Sequence, residues 1–234
     1  MTVPHPSGRL TLIFDADDTL WENNRYFEQV IDDYLDWLAH PTLDRAEVRA
    51  TLDDIERARA AANGYGSVAF LRNLHDCFEQ LNRRAATDDE RASIDALATP
   101  LAWAGVELMP AIADTLQVLA GRHDLALLTK GDREEQQRKI TASGLAGHFG
   151  VIDIVAEKDP STYRRLITER GLDAARTWMI GNSPRSDIRA ARAAGLRAVF
   201  IPNPHTWVLE QEELDADDDG TLVLTEFRQL LDHF

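Results

Sequence analysis

Between Pro110 and Ile201 the chain alternates short apolar runs with helix-sized amphipathic stretches, and no other feature limits its fold as tightly. Leu125 to Thr129, Val151 to Val155, Trp178 to Ile180 and Arg197 to Ile201 have the length and composition of strands, while 111–120, 133–143, 162–170 and 186–194 carry helical spacing. Strands joined through helices run parallel, so the pattern predicts a doubly wound α/β core. One further apolar run, Leu10 to Phe14, stands apart at the front and ends abruptly in Asp15, Asp17 and Asp18. Buried parallel strands end this way where they open into a polar cleft, and ligands of such sheets bind at the carboxyl ends of the strands.

From Trp21 to about Gly105 the period changes. Phe27, Val30, Ile31, Tyr34, Leu35 and Leu38, then Val48, Leu52 and Ile55, then Leu71, Leu74, Phe78 and Leu81 recur at helical spacing, broken at Pro41 and at Asn63-Gly64-Tyr65-Gly66. This reads as a helical insert over 21–104 that interrupts a core made of 1–20 and 105–234. The stripe Tyr26, Phe27, Tyr34, Trp37 reads as packing of that insert rather than a ligand surface.

Composition narrows the function. A formal charge of −15 repels polyanions, which disfavours nucleic acid and acidic membrane surfaces; a small anionic ligand would need a local positive site or a bound cation. Cys77 is the only cysteine, so no internal disulfide or multi-cysteine zinc site exists, and a reducing cytoplasmic setting fits. The start lacks the pattern of a secretory signal, and the apolar runs fall far below the roughly 20 residues of a membrane span, so a soluble protein is expected. Oligomeric state has no signature in the sequence.

Four polar groups follow successive predicted strands: Asp15-Ala16-Asp17-Asp18-Thr19, Thr129, Lys158 and Gly181-Asn182-Ser183-Pro184-Arg185-Ser186-Asp187. Together they suit phosphoryl transfer, where an attacking carboxylate meets a dianion and the charge must be offset by a divalent cation and fixed donors. Asp15 and Asp187 offer hard oxygen ligands for Mg2+, Lys158 a fixed positive charge, and Thr129 with the Lys130 amide hydrogen bonds to a phosphoryl group. Asp17, two residues from Asp15, suits the acid/base role beside a nucleophile.

Phe14-Asp15-Ala16-Asp17-Asp18-Thr19-Leu20, Leu127-Leu128-Thr129-Lys130-Gly131-Asp132, Glu157-Lys158-Asp159-Pro160 and Ile180-Gly181-Asn182-Ser183 through Asp187 resemble, in order, the four motifs of the haloacid dehalogenase superfamily. The resemblance implies a Rossmann-like core with a helical cap inserted after the first strand. It implies a magnesium-dependent phosphatase in which Asp15 is nucleophile and metal ligand, and Asp17 is acid/base with its carbonyl on the metal. Thr129, Lys130 and Gly131 would bind substrate, Lys158 would steady nucleophile and phosphate, and Asp187 would complete the metal site. Asn182 stands where the family usually has an acidic residue; its amide would reach the ion only through a bound water. The expected substrate is a small phosphorylated metabolite, enclosed when the cap closes, with Trp21, Asn23 and Asn24 as candidate contacts.

Taken singly, each of these residues has a plainer reading: turn-forming aspartates, a capping threonine, a surface lysine, an aspartate favouring a helix start, with Arg185 on the surface. Their order at strand ends is what favours chemistry. Two other functions compete. A 2-haloacid dehalogenase of the same fold lacks the second aspartate in the family, which Asp17 opposes. A non-catalytic calcium-binding protein would use Asp215 to Glu226, whose acidic spacing mimics a calcium loop but has Val223 at its ninth position. A phosphonate-cleaving variant needs a cap lysine, and 21–105 contains none. Gly64-Tyr65-Gly66 follows no strand, and Ser183 lacks a nucleophile elbow.

Overall fold

The computed structural model describes residues 8–103, 105–215 and 218–234. Its strands are β1 (Thr11–Phe14), β2 (Asp124–Lys130), β3 (Val151–Val155), β4 (Thr177–Gly181), β5 (Arg197–Phe200) and β6 (Thr221–Val223). They form one sheet in the order β3-β2-β1-β4-β5-β6, with every neighbouring pair parallel. The helices are α1 (Asn24–Leu38), α2 (Arg45–Asn63), α3 (Ser67–Asn82), α4 (Asp88–Trp103), α5 (Ile112–Arg122), α6 (Arg133–Ser143), α7 (Pro160–Arg170) and α8 (Ala190–Ala193). The expected doubly wound α/β sheet is therefore the observed one. The chain builds outward from β1 through β2 to β3, then crosses to β4, so the strand order reverses beside β1, where such sheets open a crevice.

The pleat explains the two-sided core. Leu12 and Phe14 point to one face, against Ile112, Leu116 and Leu119 of α5, Ile140 of α6, and the C-terminal Phe227, Leu230 and Phe234. Ile13 points to the other, with Leu128, Met179, Tyr163 and Leu166 of α7, and Ala190 and Ala191 of α8. Both faces being covered, β4 is buried along its whole length.

Two compact units emerge: the chain up to Glu22 together with Val106–Phe234, and Asn23–Gly105. Trp21 and Glu22 go with the sheet because they pair with the returning chain: Trp21 bridges Leu108, and Glu22 N donates to Glu107 O at 2.9 Å. The second unit is helical, α1 to α4 around Tyr34, Leu52, Leu74, Cys77 and Ile94, with Phe27 and Trp37 packed on that cluster. Asp44 caps α2 in a reciprocal box with Glu47, and Tyr34 Oη donates to Leu74 O at 3.1 Å, tying α1 to α3. Among the described residues no helix is long and apolar enough to cross a membrane.

The one helix expected over 186–194 is instead π-helical across Pro184–Arg189 and α-helical only across Ala190–Ala193. The amides of Asp187 and Ile188 both reach Ser183 O, at 3.1 and 3.2 Å, and this widened turn carries Asp187 back toward β4.

Leu12 is fully buried in the central strand. Leu12→Ala should lower stability by roughly 2–5 kcal/mol, seen as a lower urea midpoint at unchanged slope.

Candidate functional site

β1 is clasped between β2 and β4, with Phe14 opposite both Leu127 and Ile180. Asp15 N continues the ladder to Ile180 O at 2.9 Å, and the chain then turns sharply, the amides of Thr19 and Leu20 folding back on Ala16 O. That turn needs a left-handed residue, supplied by Asp18 at φ 61°, a conformation aspartate tolerates better than most. The strand end thus delivers Asp15 to the sheet edge, 6% exposed.

Lys158, 4% exposed just before α7, places its ammonium between two carboxylates, Asp15 Oδ1 and Asp187 Oδ1, the latter at 2.7 Å. Ser183 N holds the other Asp187 oxygen at 3.0 Å. Gly181 is required here, since a Cβ at that position would overlap the Asp187 carboxylate. Burial, and after it the charge of Asp187, push the Asp15 carboxyl up to about 7 against the pull of Lys158. Burial would lower Lys158, but Asp15 and Asp187 outweigh it and hold the ammonium above its ordinary range.

Asp17 is held by a different group. Trp21 Nε1 donates to it at 2.7 Å, Gln136 Nε2 at 2.8 Å, and Lys139 Nζ to its two oxygens at 3.1 and 3.0 Å. Thr19 Oγ1 donates to Asp15 Oδ2 at 2.9 Å and lies 3.1 Å from Asn182 Oδ1; its single proton serves one of them at a time. Asn182 Nδ2 donates to Thr206 Oγ1 at 2.9 Å, so both ends of that amide have partners within the protein.

Thr129 is 1% exposed at the end of β2, beside Asp15's strand. Gly131, at φ 133°, sits where a Cβ would crowd the Gln136 amide at 3.2 Å. Lys130, expected to face substrate, turns its ammonium to Glu210 at 2.6 Å, Ser186 Oγ at 3.0 Å and Glu157 at 3.1 Å.

Direct bonds therefore join Asp15, Lys158 and Asp187, with Thr19 and Asn182 behind them. Sequence reading missed Trp21, Gln136 and Lys139 as holders of Asp17, and Glu210 altogether. A signal for the lysines was present: of the chain's 25 basic residues only three are lysine, Lys130, Lys139 and Lys158, and all three lie in this region. Lysine brings a compact charge with three donors where arginine brings a planar fork.

Among the described residues no group of three or more His, Cys, Asp or Glu side chains is arranged to hold a metal ion. The side chains of Asp15 and Asp187 still offer carboxylate oxygens, and the charge balance fits a cation: two buried carboxylates share one ammonium. In the calcium-like segment, Asp218 is taken by Arg192 at 2.6 and 2.8 Å and by Thr221, and Glu226 caps the 3-10 turn Phe227–Asp232. Ala216 and Asp217 lie outside the described residues.

A family model described as haloacid dehalogenase-like hydrolase matches residues 10–195. The chain is 37% identical over 100 residues to phosphoserine phosphatase of Thermus thermophilus, a stretch covering 41% of this chain and only 39% of that protein. It is 25% identical to pyrimidine 5'-nucleotidase YjjG of Escherichia coli, over 94% of this chain and 96% of that one. Among solved structures, a haloacid dehalogenase-like family hydrolase from Xanthomonas campestris superposes with TM-score 0.80 at 25% identity, covering 95% and 92% of the two chains. A 2-haloacid dehalogenase from Pseudomonas syringae shares the fold, at TM-score 0.62 and 20% identity, over 96% and 97%.

Lys158→Met should leave two carboxylates facing each other without a cation, costing roughly 3–5 kcal/mol. Adding Asp15→Asn should recover part of that loss. Urea unfolding at pH 8 of parent, single and double variants measures it, and equal stability of all three would refute this account of the trio.

Proposed function

The chain belongs to the haloacid dehalogenase-like hydrolase family, and from that premise we propose that it is a magnesium-dependent phosphatase acting on a small phosphate monoester through an aspartyl-phosphate on Asp15. The observation that carries this reading is the buried Asp15 carboxylate, paired through Lys158 with Asp187 at the mouth of the sheet. Two relatives bearing the names of a phosphatase and a nucleotidase support the same reaction class.

On this reading Asp15 and Asp187, with the Asp17 carbonyl, would hold Mg2+, a hard ion suited to oxygen ligands. When bound, the ion neutralises charge on the phosphoryl oxygens and on the two carboxylates. Asp15 attacks phosphorus, an O–P bond forms to its carboxylate, and the bond to the leaving alcohol breaks. Asp17 gives that alcohol a proton, then takes one from the water that hydrolyses the acyl-phosphate. Trp21, Gln136 and Lys139 donate hydrogen bonds to Asp17 and fix where its carboxyl sits. Lys158 keeps Asp15 aligned and offsets charge, while Thr129 and the Gly131 segment line the phosphoryl position. Asn182 acts through Thr19.

Dehalogenation is the competing reading, but the dehalogenase neighbours lie at 20% identity or below and share the fold alone. A proton-transfer group beside the nucleophile also serves an alcohol leaving group and is superfluous for halide. The single cysteine suits a reducing cytoplasm.

Hydrolysis of p-nitrophenyl phosphate, phosphoserine and nucleoside monophosphates should require added Mg2+, vanish with a chelator and return with the metal. Asp15→Asn should reduce the rate by roughly three orders of magnitude or more. Metal-independent halide release from 2-haloacids, or equal phosphatase rates in parent and Asp15→Asn, would overturn the reading.

A further inference from the structure

Glu210 ends a short 3-10 turn, Val208–Glu210, in the connection from β5 to β6, outside the residues matched to the family. Its side chain is 8% exposed. One oxygen accepts from Lys130 Nζ at 2.6 Å and the other from Ser183 Oγ. Burial would raise the Glu210 carboxyl, and Lys130 and Ser183 outweigh it, holding the group below the usual carboxylate range.

Two chains of hydrogen bonds run from this ion pair to the proposed metal site. Ser183, fixed by Glu210, accepts from Ser186 N at 2.9 Å and donates its own amide to Asp187 Oδ2 at 3.0 Å. Lys130 bonds Glu157 at 3.1 Å, and the same Glu157 oxygen accepts from Lys158 N at 2.9 Å. The pair thus stands behind both Asp187 and Lys158 and links the end of β2 with the segments that follow β3, β4 and β5.

We propose that Lys130 and Glu210 are a positioning pair that sets the Asp187 carboxylate for metal binding and fixes the backbone at Lys158. The proposal rests on the phosphatase reading above. An ion pair this buried is a poor way to gain stability alone, because apolar or neutral side chains of like volume often do as well. Its hydrogen bonds have a clearer use in orienting groups behind a metal ligand, where loss of such a partner typically lowers metal affinity or activity by about 10–100-fold.

The test is the full chain carrying Glu210→Gln, Lys130→Met, or both, followed by calorimetric titration with MgCl2, by thermal unfolding and by steady-state kinetics on p-nitrophenyl phosphate. Glu210→Gln keeps the side chain's shape and one acceptor oxygen; the double variant removes both charges together. The double variant should fold with a melting temperature near the parent's, bind magnesium about tenfold more weakly or worse, and lose kcat at saturating metal with KM little changed. Lys130→Arg should restore part of the magnesium affinity that Lys130→Met loses. A double variant that binds magnesium as the parent does overturns the proposal and leaves the phosphatase reading standing; one that fails to fold, with Glu210→Gln binding normally, overturns it in favour of a structural role. A parent that binds no magnesium overturns the phosphatase reading and the pair's role with it.

Discussion

One ammonium between two buried carboxylates organises this molecule. Lys158 lies between Asp15 and Asp187, each of the three nearly closed to solvent, and Lys158 stands 143 positions from Asp15 and 29 from Asp187 in the chain. Two carboxylates in so dry a place resist ionisation and repel each other, and burial followed by the charge of Asp187 pushes the Asp15 carboxyl upward. The sheet brings them together nonetheless. β1 and β4 are neighbours, each ends at the same edge, and the π-helical turn after β4 returns Asp187 over Gly181. The fold supplies the geometry, and Lys158 makes it tolerable.

The other two lysines repeat the arrangement at one remove. Lys139 binds Asp17, and Lys130 binds Glu157 and Glu210, so each lysine of the chain answers at least one carboxylate near the sheet edge. Some arginines pair at the surface instead, as in Arg9–Asp124 and Arg45–Asp32, which are more than half exposed on both sides and contribute little.

Regular elements were legible in the sequence where local pattern and tertiary demand agree. Val151–Val155 and Arg133–Ser143 fall where apolar runs and helical spacing put them, and Asp132 caps the latter by accepting from Glu135 N. The strand-end positions of Asp15, Thr129, Lys158 and Asp187 were legible too, since a strand's carboxyl end follows from its length. What stayed hidden depends on reach between distant segments. Lys139 lies 122 positions from Asp17, and Glu210 lies 80 from Lys130. The π turn was hidden because Pro184, Ser186 and Asp187 also fit an ordinary helix start; only Ser183 accepting two successive amides distinguishes them. Asn182 is expected to reach a metal only through a bound water; its contacts with Thr19 and Thr206, from segments far apart in the chain, were not legible.

The global charge and the local site pull in opposite directions, and on the proposed reading their balance explains how an acidic protein handles a phosphate. With −15 overall, the surface repels anions at a distance, yet the Debye length at physiological salt is about 8 Å and distant charges are largely screened. With both carboxyls ionised, the directly bonded trio Asp15, Asp187 and Lys158 carries one negative charge. A divalent cation bound there reverses the sign, so the site attracts a phosphoryl dianion only after the metal has entered. Anion affinity would then be a property of the loaded site alone, and the acidic surface would discourage phosphates from lodging anywhere else on the chain.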